Sequence, residues 1–115
     1  MIVGSAQSFA DSVPSETRII DNTIRYAQNI FPIDRGGYAY PMAIVGGNVR
    51  FQGEGPVYVT LRIGGQSYTA LTDNFGDYSF FAYANGGRRF EVNAWVIGGE
   101  EVPASKKTGE LSVQK

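Results

Sequence analysis

Residues Val57 to Ile63 alternate without a break: Val57, Val59, Leu61 and Ile63 are apolar, and Tyr58, Thr60 and Arg62 stand between them. A period of two puts the first set on one face of an extended chain and the second set on the other. The rhythm returns in Asp77–Ala84 and Arg88–Ile97, where Tyr78, Phe80, Ala82, Ala84, Phe90, Val92 and Ala94 hold the even positions. Strands with one apolar face need a second layer to cover it, so the chain is predicted to be all-β and antiparallel.

Glycine pairs punctuate the pattern at Gly46-Gly47, Gly64-Gly65, Gly86-Gly87 and Gly98-Gly99. Paired glycines supply the backbone angles of tight turns, and each pair is read as one. The predicted strands are Asn48–Gln52 (with a start as early as Ile44), Val57–Ile63, Gln66–Thr72, Asp77–Ala84, Arg88–Ile97 and Gly109–Val113. Asn85-Gly86-Gly87 is read as a hairpin turn in which Ala84 pairs with Arg88, Phe80 faces Val92 and Tyr78 faces Ala94. The odd positions, Phe81, Tyr83, Arg89, Glu91, Asn93 and Trp95, then lie on the outer face.

The sequence divides into an N-terminal arm, residues 1–41, and a sandwich domain, residues 42–115. In the arm, Ile20, Ile24, Ala27 and Phe31 follow helical spacing, and Pro14 suits a helix start. The β-branched and aromatic residues of "RII" and "TIRYA" suit a strand, and an extended arm is the preferred reading. Met1–Ala10 lack the basic start and long apolar run of a signal peptide.

Composition narrows the function. The 115 residues fit one domain, with 43% hydrophobic residues and a net charge of −1. Scattered basic residues argue against a nucleic-acid partner, and no apolar run is long enough to span a membrane. The chain has no His and no Cys. Histidine-based triads, common zinc sites and the neutral-pH proton shuttle are therefore excluded. No cofactor is expected, and the protein is read as a non-enzyme.

Two acidic features are candidate sites. Asp73 and Asp77 in "TDNFGDYSFF" could ligate calcium, but they read better as a turn cap and a solvated carboxylate feeding a strand. Glu100-Glu101 read as a solvated loop. The outward aromatics are the stronger lead: Trp95, Phe81, Tyr83 and Tyr58, with Arg89 and Asn93 as hydrogen-bonding neighbours. Such a row can be covered by the arm through Ile20, Ile24 or Phe31, can meet a protein, or can stack on sugars. Tyr38 and Tyr40 in "RGGYAYP" form a second aromatic pair near the entry to the domain.

"TDNFGDYSF" resembles the T-D-x-x-G-x-Y-x-F signature of carboxypeptidase-regulatory-like domains. "GGNVRF", "VYVTLRIGG" and "RRFEVNAW" are similar, in order, to other strands of that family, so the likeness runs from about Gly46 to Trp95. The connection Gly53–Pro56 is shorter than the family's, and the first 40 residues or so have no counterpart. The resemblance implies a prealbumin-like or Ig-like sandwich of about seven strands. It also implies a non-catalytic accessory module of a bacterial cell-surface or exported protein, and it transfers no catalytic residue. The expected function is protein–protein interaction through the aromatic face or the arm, with carbohydrate binding through the same face as the alternative.

Overall fold

The computed structural model describes residues 17–35 and 38–112, and the side chains of residues 31–40 fall outside that description. Expectations on Met1–Ala10, Pro14, Val113 and the side chains of Phe31, Tyr38 and Tyr40 lie outside the described part.

Seven strands form two antiparallel sheets: β1 Arg18–Arg35, β2 Tyr38–Gln52, β3 Tyr58–Ile63, β4 Gln66–Leu71, β5 Asp77–Tyr83, β6 Arg89–Trp95 and β7 Lys106–Glu110. A 3-10 turn, Pro103–Ser105, precedes β7. One sheet has the order β1-β2-β5 and the other β4-β3-β6-β7. The fold is the all-β sandwich that the alternation predicts. Its core is Val59, Leu61 and Ile63 of β3, Phe90, Val92 and Ala94 of β6, Tyr78, Phe80 and Ala82 of β5, and Ala43, Val45 and Val49 of β2.

Two expectations require correction. β5 and β6 do not form a hairpin: β5 pairs with β2, with Val45 opposite Phe80, whereas β6 pairs with β3 and β7. The chain crosses between sheets at residues 84–88. The parity survives because both strands turn their even faces into the space between the sheets, where the core requires them. Gly46-Gly47 is not a turn, since it lies inside β2. β2 is continuous from Tyr38 to Gln52 and so runs through Pro41.

The arm is a strand. β1 pairs with β2 from Arg18↔Gln52 to Arg35↔Tyr38, with register shifts at Ile19/Asp21, Ile24/Tyr26 and Ile30/Ile33. Each shift inserts one residue and reverses the alternation. Ile19, Asn22, Ile24, Ala27 and Asn29 consequently pair with the inward side of β2, at spacings of three and two. Of the helix-like stripe in the sequence, Ile24 and Ala27 are among these inward positions, whereas Ile20 is exposed. The rungs Ile33↔Tyr40, Asp34↔Ala39 and Arg35↔Tyr38 lie beyond the last β2–β5 rung, Met42↔Tyr83, so the hairpin continues past β5 as a two-stranded ribbon. The molecule measures 73 × 28 × 23 Å.

Candidate interaction surfaces

Of the stretch Thr72–Phe81, residues Thr72–Gly76 form a turn that carries the chain from β4 in one sheet to β5 in the other. Asp73 Oδ1 accepts the N–H groups of Phe75 and Asp77, each at 2.9 Å. The Asp73 N–H donates to the Asp77 carbonyl at 3.0 Å. The acid thus satisfies backbone donors in its own loop, as a turn-forming aspartate does. Gly76 has φ +84, and a Cβ there would meet the Val49 carbonyl oxygen at 2.1 Å. That carbonyl's own residue donates its N–H to Gly76 O at 2.8 Å, so only glycine fits the junction. Asp77 Oδ1 accepts from Asn48 Nδ2 at 2.9 Å. Glu101 makes an exposed ion pair with Lys106 at 3.6 Å. Among the described residues no group of three or more acidic side chains could hold a metal ion.

The six residues singled out in the sequence divide between the two outer faces of the sandwich. Phe81 and Tyr83 lie on the outer face of the three-stranded sheet, 62% and 59% exposed. Trp95, Tyr58, Asn93 and Arg89 lie on the outer face of the four-stranded sheet, where Tyr58 is opposite Trp95 and Thr60 opposite Asn93. The single aromatic row drawn from the sequence is therefore two separate patches. A single row requires β5 and β6 to be neighbours, and they lie in different sheets.

The patch on the four-stranded sheet is closed on itself. The Tyr58 and Trp95 rings stack with centroids 4.7 Å apart and planes at 19°. The Trp95 indole N–H donates to Thr60 Oγ1 at 2.9 Å, and Thr60 Oγ1 lies 3.2 Å from Thr69 Oγ1. Asn93 Oδ1 accepts from Ser105 Oγ at 3.3 Å, and Glu91 meets Arg62 at 3.5 Å. Arg89 is exposed, opposite Glu110.

The patch on the three-stranded sheet is open and larger than the sequence indicated. Ile44 is opposite Phe81 and shares its outer face, half-buried, whereas Met42, opposite Tyr83, is buried. Tyr26 joins them from β1. Its ring lies over Gly46, where a Cβ would sit 2.2 Å from the Tyr26 Cζ, and its hydroxyl donates to Ser79 Oγ at 3.1 Å. Tyr26 remains 41% exposed. Sequence parity does not place Tyr26 and Ile44 on this face, because β2 begins at Tyr38, well before the predicted Asn48, and bulges set the register of β1. The described part of the arm does not cover Phe81 or Trp95. It extends the sheet edgewise, with Ile24 against the core and Ile20 exposed.

The polar centre of the sandwich was also not legible. Asn22 is fully buried; its Nδ2 donates to the Ser105 carbonyl at 3.0 Å, and its Oδ1 accepts from the Tyr78 hydroxyl at 2.8 Å. Burial pushes the Tyr78 phenol up to about 12. Next to it, the Asn22 backbone N–H and then the Lys107 ammonium, 3.3 Å away, hold the Asp21 carboxyl below its usual range.

The chain matches no protein-family model, and no curated protein and no solved structure shows significant similarity to it. No helix among the described residues is long and apolar enough to cross a membrane.

Proposed function

We propose that this protein is a non-catalytic, structural or protein-interaction module of a bacterial surface or exported protein. Its contact surface is the outer face of the three-stranded sheet together with the ribbon that continues β1 and β2. The observation that carries this reading is the exposure of Phe81 and Tyr83 beside Tyr26 and Ile44. Rings so placed leave much of their apolar area in water, and an exposed apolar patch on a soluble domain marks a contact surface. The T-D-x-x-G-x-Y-x-F resemblance at Thr72–Phe80 supports the accessory role and the exported setting. Carbohydrate binding is the weaker reading, since Trp95 and Tyr58 stack on each other on the opposite side from Phe81 and Tyr83.

The test is the pair Phe81→Asp and Tyr83→Asp. Both side chains are exposed, so thermal unfolding stays within a few degrees of wild type. Association with the native partner, measured by affinity purification from the source cells, falls at least about tenfold. Retained association, or soluble glycans that quench Trp95 fluorescence, would count against this assignment.

A further inference from the structure

Four strands end the two sheets: β1 and β5 in one, β4 and β7 in the other. An edge strand offers unpaired N–H and C=O groups to any second strand, and proteins guard such edges with charge, proline, bulges or a covering segment. Three of the four edges are guarded. β1 bulges at three places, carries Arg18, Asp21 and Arg25, and is crossed by Ser112, which bonds the Ala27 carbonyl and the Asn29 N–H. β5 is capped at one end by the Asp73 N–H on the Asp77 carbonyl and at the other by the Tyr68 hydroxyl on the Tyr83 N–H. β7 carries Lys106, Lys107 and Glu110 in five residues.

β4, Gln66–Leu71, has none of these devices. It holds no charge and no proline, and its six residues run against β3 without a register shift. Among the described residues no strand pairs with its outer side. The groups that face outward follow from one hydrogen bond. The Thr72 N–H donates to the Val57 carbonyl at 3.0 Å, and in an antiparallel ladder every second residue pairs the same way. Gln66, Tyr68 and Ala70 therefore turn their backbone groups toward β3, and Ser67, Thr69 and Leu71 turn theirs outward.

We propose that β4 pairs with β4 of a second copy of this chain, antiparallel, about a twofold axis through Thr69. Ser67 then faces Leu71 of the second copy, Thr69 faces its own equivalent, and the two four-stranded sheets fuse into one of eight. A second copy fits because the outward row of donors and acceptors is symmetric about Thr69, as an isologous contact requires. A neutral strand also sets no like charges opposite one another. The side chains agree: Thr69 is exposed on the axis, and the small Ser67 leaves room for Leu71, which is 57% exposed. This contact is independent of the Phe81–Tyr83 face.

Thr69→Lys and Thr69→Cys test it. Sedimentation equilibrium of the full chain shows a monomer–dimer equilibrium. Thr69→Lys sets two ammonium groups together on the axis and weakens the dimer by about tenfold or more, with unchanged circular dichroism. The chain has no cysteine, so Thr69→Cys can form a disulfide only between copies. The facing Cα atoms of such a pair lie ~5.5 Å apart, within disulfide range, so mild oxidation yields dimers. Asn74→Cys, in an exposed turn, gives far fewer. A wild-type chain that stays monomeric at millimolar concentration overturns the proposal. So does a dimer that survives Thr69→Lys, or one lost instead through Phe81→Asp and Tyr83→Asp.

Discussion

Tyr78 shows how a single polar side chain is made compatible with the interior. Its even position in an alternating strand made it legible as a core residue. The partner that makes its hydroxyl tolerable, Asn22, was not legible, because a polar residue on a bulged strand carries no period that marks it as inward. The raised phenol has a definite consequence. Below pH 10 the group is protonated in both folded and unfolded chains and leaves stability unchanged. Between pH 10 and about 12 the unfolded chain releases the proton and the folded chain holds it. Unfolding is therefore favoured as pH rises, and up to about 2–3 kcal/mol is lost across that window. Tyr78→Phe removes the difference. It leaves Asn22 Oδ1 without its donor, so it lowers stability at pH 8 by about 1–3 kcal/mol, but its stability then falls less between pH 10 and 12. Urea titrations of both proteins across this range check the claim, because every other ionisable group is common to the two.

At the scale of the element, β2 shows why two adjacent glycines need not be a turn. "AIVGGNVRF" has β-branched residues on both sides of the pair, and the strand runs through it because each glycine makes room for a neighbour. At Gly46 the neighbour is the end of the Tyr26 side chain, which can swing away. At Gly47 a Cβ would meet the Thr23 carbonyl oxygen at 2.2 Å and the Tyr78 hydroxyl at 2.6 Å. A backbone carbonyl in a paired strand cannot move without breaking the ladder. Gly46→Ala is expected to lower stability by roughly 1–2 kcal/mol, chiefly through displacing Tyr26 and its bond to Ser79. In a Tyr26→Ala background most of that cost disappears, as a double-mutant cycle would report. Gly47→Ala costs more, and Tyr26→Ala does not relieve it. Equal costs in the two backgrounds at Gly46 would show that Tyr26 does not define the site. Strands β3 to β6 were legible because their alternation is unbroken. β1 was ambiguous because its three bulges give apolar residues a spacing between those of a strand and a helix.

At the scale of the molecule, the pairing of β5 was beyond the reach of local pattern. Two strands joined by "NGG" can pair with each other or face each other across a core, and both arrangements require the same parity from Tyr78 to Ala94. The outcome places β5 beside β2, which lets the long β1–β2 hairpin run on past it. That hairpin adds to the elongation of the molecule. A compact chain of about 100 residues has a radius of gyration near 13 Å, whereas this one has 18.5 Å. The ribbon beyond Met42↔Tyr83 contributes about 15 Å of length at ~3.3 Å per residue. A two-stranded ribbon adds little stability of its own, so its removal leaves the sandwich intact. Replacement of residues 32–40 by Asn-Gly should therefore change the unfolding midpoint by no more than a few degrees and shorten the long dimension in small-angle scattering by about 15 Å. A collapse of the midpoint would instead make the ribbon part of the folding unit. An unchanged long dimension would show that the extension does not persist in solution.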